Sequence, residues 1–355
     1  MAANTSQTIS QVTTAVALTT DVDYHISSTD PFTTTGSIDI VNTSHAVIIF
    51  DNIRPSKVIS SYLTFIKING EDAVSEKNCQ VRIYNLGAIV FPYGVESAAS
   101  SGFHPLKVYS EPDLQGQSCE LFGLENNGGY MNTLTSAKLK GKIKSFSLKR
   151  GYMVTFSLKD NGYGYSRCFI ADTEDLTVNL PNLMAGRICS YRLFRWQDIN
   201  KRGYAGSSQS VNALLNTTWA YGWDAGNNVW TDCEYVTQHH HEGWPSIADV
   251  GKNGTSAHAL GNNEPDNTGD DREQDVDPEV VLKNWPEMMR TGKRLGSPAM
   301  SGNKTWLKTF MNAIDENGWR VDFIAVHDYN LNDQGSKIWN VSDYSSIGNG
   351  RPVWL

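Results

Sequence analysis

All ten tryptophans of this 355-residue chain lie from Trp196 onward. A partition that sharp calls for at least two cores of different composition, with a boundary near residues 196 to 202. The length agrees, since a single hydrophobic core stops growing well before 355 residues. Upstream of the boundary, HAVIIFDNI, SYLTFIKING and CQVRIYNLGAIVF alternate or run apolar over five to eight residues, with Asn, Gly, Asp and Pro between them. No helical period appears between residues 1 and 195. A small-residue stretch, ESAASSGF, breaks this all-β half near residues 95 to 103. The expectation is a β-sandwich-like module over 1–98 and a second β module over 104–196.

Downstream of the boundary, strands and helices alternate. Strand-like RGYAG, TWAYGWD, CEYVTQHHH, AHALGNNEP, RLGSPAM, DFIAVHDY and PVWL are separated by helix-like SQSVNALL, PSIADVGKNG, a segment from Pro278 and another from Lys304. Asp277-Pro278 is a good helix start, and Pro286 should kink that helix. Trp306, Phe310, Ala313 and Ile314 share one helix face, which Asn317-Gly318 ends. Such alternation means a parallel sheet. No glycine-rich loop comes after the first strand, so a (β/α)8 TIM barrel over 198–355 is favoured over a dinucleotide fold, and no cofactor is expected.

The formal net charge of −8 argues against a nucleic-acid partner. No apolar run is long enough to span a membrane. The N-terminus, MAANTSQTISQ, lacks the charged and apolar regions of a signal peptide. A secreted or cell-surface protein is expected, with virion association as the alternative. Five dispersed cysteines without C-x-x-C spacing read as buried free thiols and not as a zinc site. His239 to His241 lack further ligands to complete a metal set, so no metal is expected.

In a barrel of this kind, chemistry collects where the strands end. Those ends carry Trp219, Tyr221 and Trp223, then His239 to His241 with Trp244, then Asn263 and Glu264, then His327 and Tyr329. Aromatic faces stack on sugar rings, while Asn and His bond hydroxyls, so this set predicts a polysaccharide cleft. Trp223, Trp230 and Trp244, at loops or strand ends, are the tryptophans expected to touch sugar; Trp285, Trp306 and Trp319 are expected in the core. Glu264 suits the general acid that glycoside hydrolysis requires. Asp266 is close enough in sequence to raise its pKa by like-charge repulsion. The other acids of the loop, from Asp270 to Asp277, are expected at the surface.

Two stretches resemble known families. KVYSEPDLQGQSCEL…KIKSFSLKRG is answered by MVTFSLKDNGYGYSRCFI…RICSYRLFRW, and this internal repeat resembles the paired Greek keys of the βγ-crystallins. The family's calcium-binding acids have no counterpart in GKIKSF and AGRICS. Downstream, WAYGWD, LGNNEPDN, RLGSPAMSGNKTWLKTF, DFIAVHDYN and GRPVWL resemble glycoside hydrolase family 128 in order and spacing. That resemblance implies a retaining endo-β-1,3-glucanase, with Glu264 as acid/base, Asn263 as its 2-hydroxyl partner, and His327 and Tyr329 lining the cleft. It places the nucleophile in a Thr-Glu directly after PVWL, beyond Leu355, so the barrel is expected to be incomplete. The alternative is a non-catalytic glycan-binding or structural protein on a phage or surface appendage, with the β modules attaching it to an assembly.

Overall fold

The computed structural model describes residues 5–18, 22–27, 33–41, 46–92, 104–121, 126–226, 230–268, 275–328 and 334–355. Three large hydrophobic clusters organise it, drawn from residues 12–90, 106–193 and 250–344, and the elements around each are described as the first, second and third units.

The first unit is built from parallel rungs. Thr5–Thr8, Val22–Ser27 and Val47–Asp51 stack in parallel on one side. Val16–Leu18, Ile38–Ile40 and Ile66–Ile68 do so on the other. Leu18, Ile26, Ile38, Ile40, Ile48, Phe50, Ile66 and Ile68 fill the space between. The antiparallel pair Cys79–Asn85 and Gly87–Pro92 closes the stack against Val47–Asp51. Two sheets therefore share one core, but their strands coil in parallel and do not form the hairpins of an ordinary sandwich. Period-two alternation marks a strand and its buried face. It carries no information on direction, and here the partner of Thr5 is Val22, a full turn of chain away.

The second unit pairs two four-stranded antiparallel sheets around Phe146, Phe156 and Phe169, whose rings meet edge to face at 5.1 to 6.2 Å. One sheet runs Gln115–Leu121, Leu106–Glu111, Ser145–Leu148, Leu176–Asn179. The other runs Asn132–Thr133, Ser190–Arg195, Tyr152–Ser157, Ser166–Ala171. Each half of the sequence repeat thus keeps three strands in its own sheet and gives one to the other.

In the third unit, seven parallel strands occur in chain order among the described residues. They are Gly203–Ala205, Trp219–Tyr221, Glu234–Tyr235 continued by Thr237–Gln238, His258–Leu260, Arg294–Leu295, Ile324–Ala325 and Val353–Trp354. A parallel bridge from Gly296 to Phe323 joins the fifth to the sixth. Helices Gln209–Leu215, Ile247–Lys252, Pro278–Arg290, Lys304–Glu316 and Gln334–Ile347 lie between them. Helix Pro278–Arg290 runs on through Pro286, with Trp285 buried edge-on against Phe310. Pro278 occupies its first turn, but the Asp277 side chain makes no cap. Trp306, Phe310 and Ile314 are buried on one face of the next helix, which ends at Asn317 before left-handed Gly318. The last helix has no clear signal in the sequence pattern. No helix among the described residues is long and apolar enough to cross a membrane.

Both β units dock against the end of the third unit where strands begin. Fully buried Arg192 donates to the carbonyls of Gly129, Gly251 and Thr291 at 2.6 to 3.1 Å, and burial pulls its pKa down to about 9. Arg320 reaches Ser166 and pairs with Asp322. Gly129 and Gly251 bring two backbones so close that a Cβ at Gly251 would sit 1.9 Å from the Gly129 carbonyl oxygen. From the first unit, Arg54 bonds Asn216 and Thr217, and Ser56 bonds Asp232. Asp198 pairs beside Tyr84 as a short added strand, so the connection between the second and third units is itself part of the first unit's sheet. All these partners in the third unit precede strands, and none of these hydrogen bonds reaches the opposite end.

Candidate active site

A cavity of about 700 Å³ reaches that end, lined by residues within and after the strands and also by Lys201 and Arg202, which precede the first strand. Trp219, Tyr221, Trp223, Asn263, Glu264 and His327 all line it. The fourth strand delivers Glu264. Past Leu260 the chain still runs in parallel, with Asn263 bridging Ala299 and the Glu264 amide donating to the Ala299 carbonyl at 2.7 Å, and it turns at Pro265–Asp266. Glu264 has φ of +43°, a left-handed value that a residue with a Cβ rarely adopts. Strained backbone of this kind persists only where surrounding bonds over-determine it, and it concentrates at functional sites. Here the Glu264 carbonyl accepts from Asn267, and the Pro265 carbonyl from Val276.

The carboxylate is held at both oxygens. His327 Nδ1 lies 2.7 Å from Oε1, and Asn267 Nδ2 donates to Oε2 at 3.1 Å. Its side chain keeps 15% of its exposure, so it is sheltered yet reachable from the cavity. On the facing wall, Trp219 and Tyr221 stack at 6.4 Å, and Trp223 meets Tyr221 edge-on at 5.2 Å. Burial raises the Tyr221 phenol pKa, and the charge of Glu264 adds to the shift. Trp354, at the end of the seventh strand, closes the aromatic set at 5.0 Å from Trp219.

Other expected site residues fall elsewhere. His239 is 3% exposed, directs Nδ1 to the Pro245 carbonyl at 2.8 Å, and does not line the cavity; burial pushes its pKa down. Trp244 is half exposed on the loop beyond, beside His240 and His241, and is likewise outside the lining. Trp230 is buried against Tyr235 as a core residue. Tyr329 and the acids at 270, 271 and 273 lie outside the described residues. Both oxygens of Asp266 accept backbone N–H groups of Ser301, Gly302 and Asn303 at 2.8 to 3.2 Å, so its charge pins the neighbouring loop. Gln238, Asn267, Asp328 and Trp354 join the site without having been expected there. Asn267 and Asp328 stand within the blocks NNEPDN and AVHDY, whereas nothing in the sequence marks Gln238.

Residues 199–355 match the family model described as "Glycosyl hydrolase catalytic core". The matched residues span the third unit. Among solved structures, an endo-β-1,3-glucanase of glycoside hydrolase family 128, subgroup I, from Amycolatopsis mediterranei in complex with laminaripentaose is 26% identical. That match covers 44% of this chain and 70% of the other, with a TM-score of 0.38. A curdlan-specific exo-β-1,3-glucanase of subgroup III from Blastomyces gilchristii, in complex with glucose, is 26% identical over 43% of this chain and 73% of its own, with a TM-score of 0.37. A subgroup VII oligosaccharide-binding protein from Trichoderma gamsii is 23% identical over 44% and 66%, with a TM-score of 0.33. No curated protein matches the chain.

Proposed function

We propose that residues 199–355 are the acid/base-bearing part of a retaining endo-β-1,3-glucanase, with Glu264 as the acid/base. The observation that carries the reading is the Glu264 carboxylate, held between His327 and Asn267 and facing an aromatic-walled cavity. A pyranose ring has an apolar face that Trp219, Tyr221 and Trp223 can cover. Glu264 then protonates the departing glycosidic oxygen while the nucleophile that the resemblance places after PVWL bonds to the anomeric carbon, and in the second half-reaction Glu264 takes a proton from the water that displaces that nucleophile. Retention needs a second carboxyl group about 5–5.5 Å away. The sequence resemblance puts that group directly after the seventh strand, whose end, Trp354 and Leu355, lines the same cavity. Seven parallel strands with intervening helices support a (β/α)8 architecture, and the exchanged strands of residues 104–196 support a βγ-crystallin-like module.

Laminarin and curdlan digestion tests this, with products sized by chromatography and their anomeric configuration followed by proton NMR. Internal cleavage with initial β-product supports the reading. Product from neither polymer, with oligosaccharide still bound, would move the chain to the glycan-binding alternative.

A further inference from the structure

Trp230 Nε1, Glu234 Oε2, Gln238 Oε1 and His239 Nε2 are each buried without a hydrogen-bond partner among the described residues. Of these four residues, Gln238 alone lines the cavity. It is 2% exposed, and its amide is half answered: Nε2 donates to the Gly261 carbonyl at 3.1 Å, which fixes the oxygen as the free end. Its backbone is held as well. Gln238 pairs with Leu260 across the parallel strands, and its N–H donates to the Asp224 carbonyl at 2.8 Å.

We infer that Gln238 determines specificity in the cavity by accepting, at Oε1, a hydrogen bond from a free hydroxyl of the bound sugar. The inference rests on the glucan reading above. A buried carbonyl oxygen without a donor is costly, and a ligand that brings a donor relieves that cost while one lacking it does not. Sites built to bond a hydroxyl for this reason reject analogues in which it is missing. An amide oxygen only accepts, so an ether, an ester or a deoxy centre at that position leaves it unanswered. A chain substituted at this hydroxyl is excluded, whereas a bare glucan is admitted.

The test is calorimetric titration of the full chain with laminaribiose and a panel of its monodeoxy analogues. It uses Glu264→Gln as the non-hydrolysing background, with and without Gln238→Met. Methionine keeps the length and removes the acceptor. It also loses the Gly261 bond, so the readout is the coupling between protein and ligand changes and not affinity alone. One deoxy analogue is expected to bind about tenfold more weakly than laminaribiose without Gln238→Met, and equally well with it. Should Gln238→Met lose its fold by circular dichroism, Gln238→Asn, which withdraws the oxygen by one methylene, replaces it. If every analogue ranks the same with and without the substitution, the Gln238 assignment is overturned and the glucan reading stands. If laminaribiose and longer laminari-oligosaccharides do not bind at all, both fall together.

Discussion

The two ends of the third unit use the same residue types for opposite purposes. Where the strands begin, Glu234, His258, Lys293, Arg192 and Arg320 are buried and directed to backbone or to one another. Glu234 Oε1 alone receives Ser256 Oγ, the amides of Ala257 and His258, and His258 Nδ1 at 2.9 to 3.1 Å. Where the strands end, Glu264 also has a histidine at one oxygen, but its neighbours leave it facing an open cavity. A carboxylate–histidine pair is therefore not diagnostic of chemistry. What separates Glu264 from Glu234 is a volume in which a substrate can stand, at the end of the third unit away from the hydrogen bonds to the β units.

The sharpest way to break this comparison is to disable each end in turn. Glu264→Gln should lower glucan hydrolysis by about 10²–10⁴-fold while leaving the urea midpoint unchanged. Arg192→Met should do the reverse. It leaves three carbonyls at the unit interface without their donor and should cost about 3 kcal/mol of unfolding free energy. Oligosaccharide affinity of the folded fraction should stay as it was. If Arg192→Met altered affinity more than stability, the strand-start end would not be purely structural.

A pH titration of stability sharpens the contrast. Burial by itself would raise the Glu234 carboxyl, but the His258 charge and the hydrogen bonds from His258 and Ser256 outweigh it and hold the pKa below the usual carboxylate value. A depressed folded value contributes stability above the unfolded pKa and loses it as pH falls through the folded one. Urea midpoints should therefore fall below about pH 4, near the ordinary glutamate value, and Glu234→Gln should flatten that acid limb. The smallest effect expected is at the rim: Trp223→Ala should weaken oligosaccharide binding about fivefold, with stability unchanged within about 0.5 kcal/mol, because Trp223 is 39% exposed. Both are read by calorimetry and denaturant titration.

The legible part of the molecule was the part governed by local rules. Strand and helix order after Trp196 comes from periodicity, and Glu264 stands out because Asn-Glu-Pro closes a strand. Direction and docking were not legible. The parallel coil of the first unit depends on pairings across a turn of chain, and the interface arginines look like surface residues until Gly129 and Gly251 bring two backbones together. His239 misleads for a similar reason. Neighbouring residues on one strand point to opposite faces, so its adjacent position Gln238 reaches the cavity and His239 does not.

The most direct test of Glu264 as acid/base compares two substrates in Glu264→Gln. A laminari-oligosaccharide leaves as a poor alkoxide and needs protonation, whereas a 2,4-dinitrophenyl β-glucoside leaves without it. The account predicts a loss of about 10²-fold or more in the rate on the oligosaccharide and a much smaller loss in forming the glycosyl–enzyme from the aryl glucoside. An equal loss on both substrates, or full activity on the oligosaccharide, would contradict it.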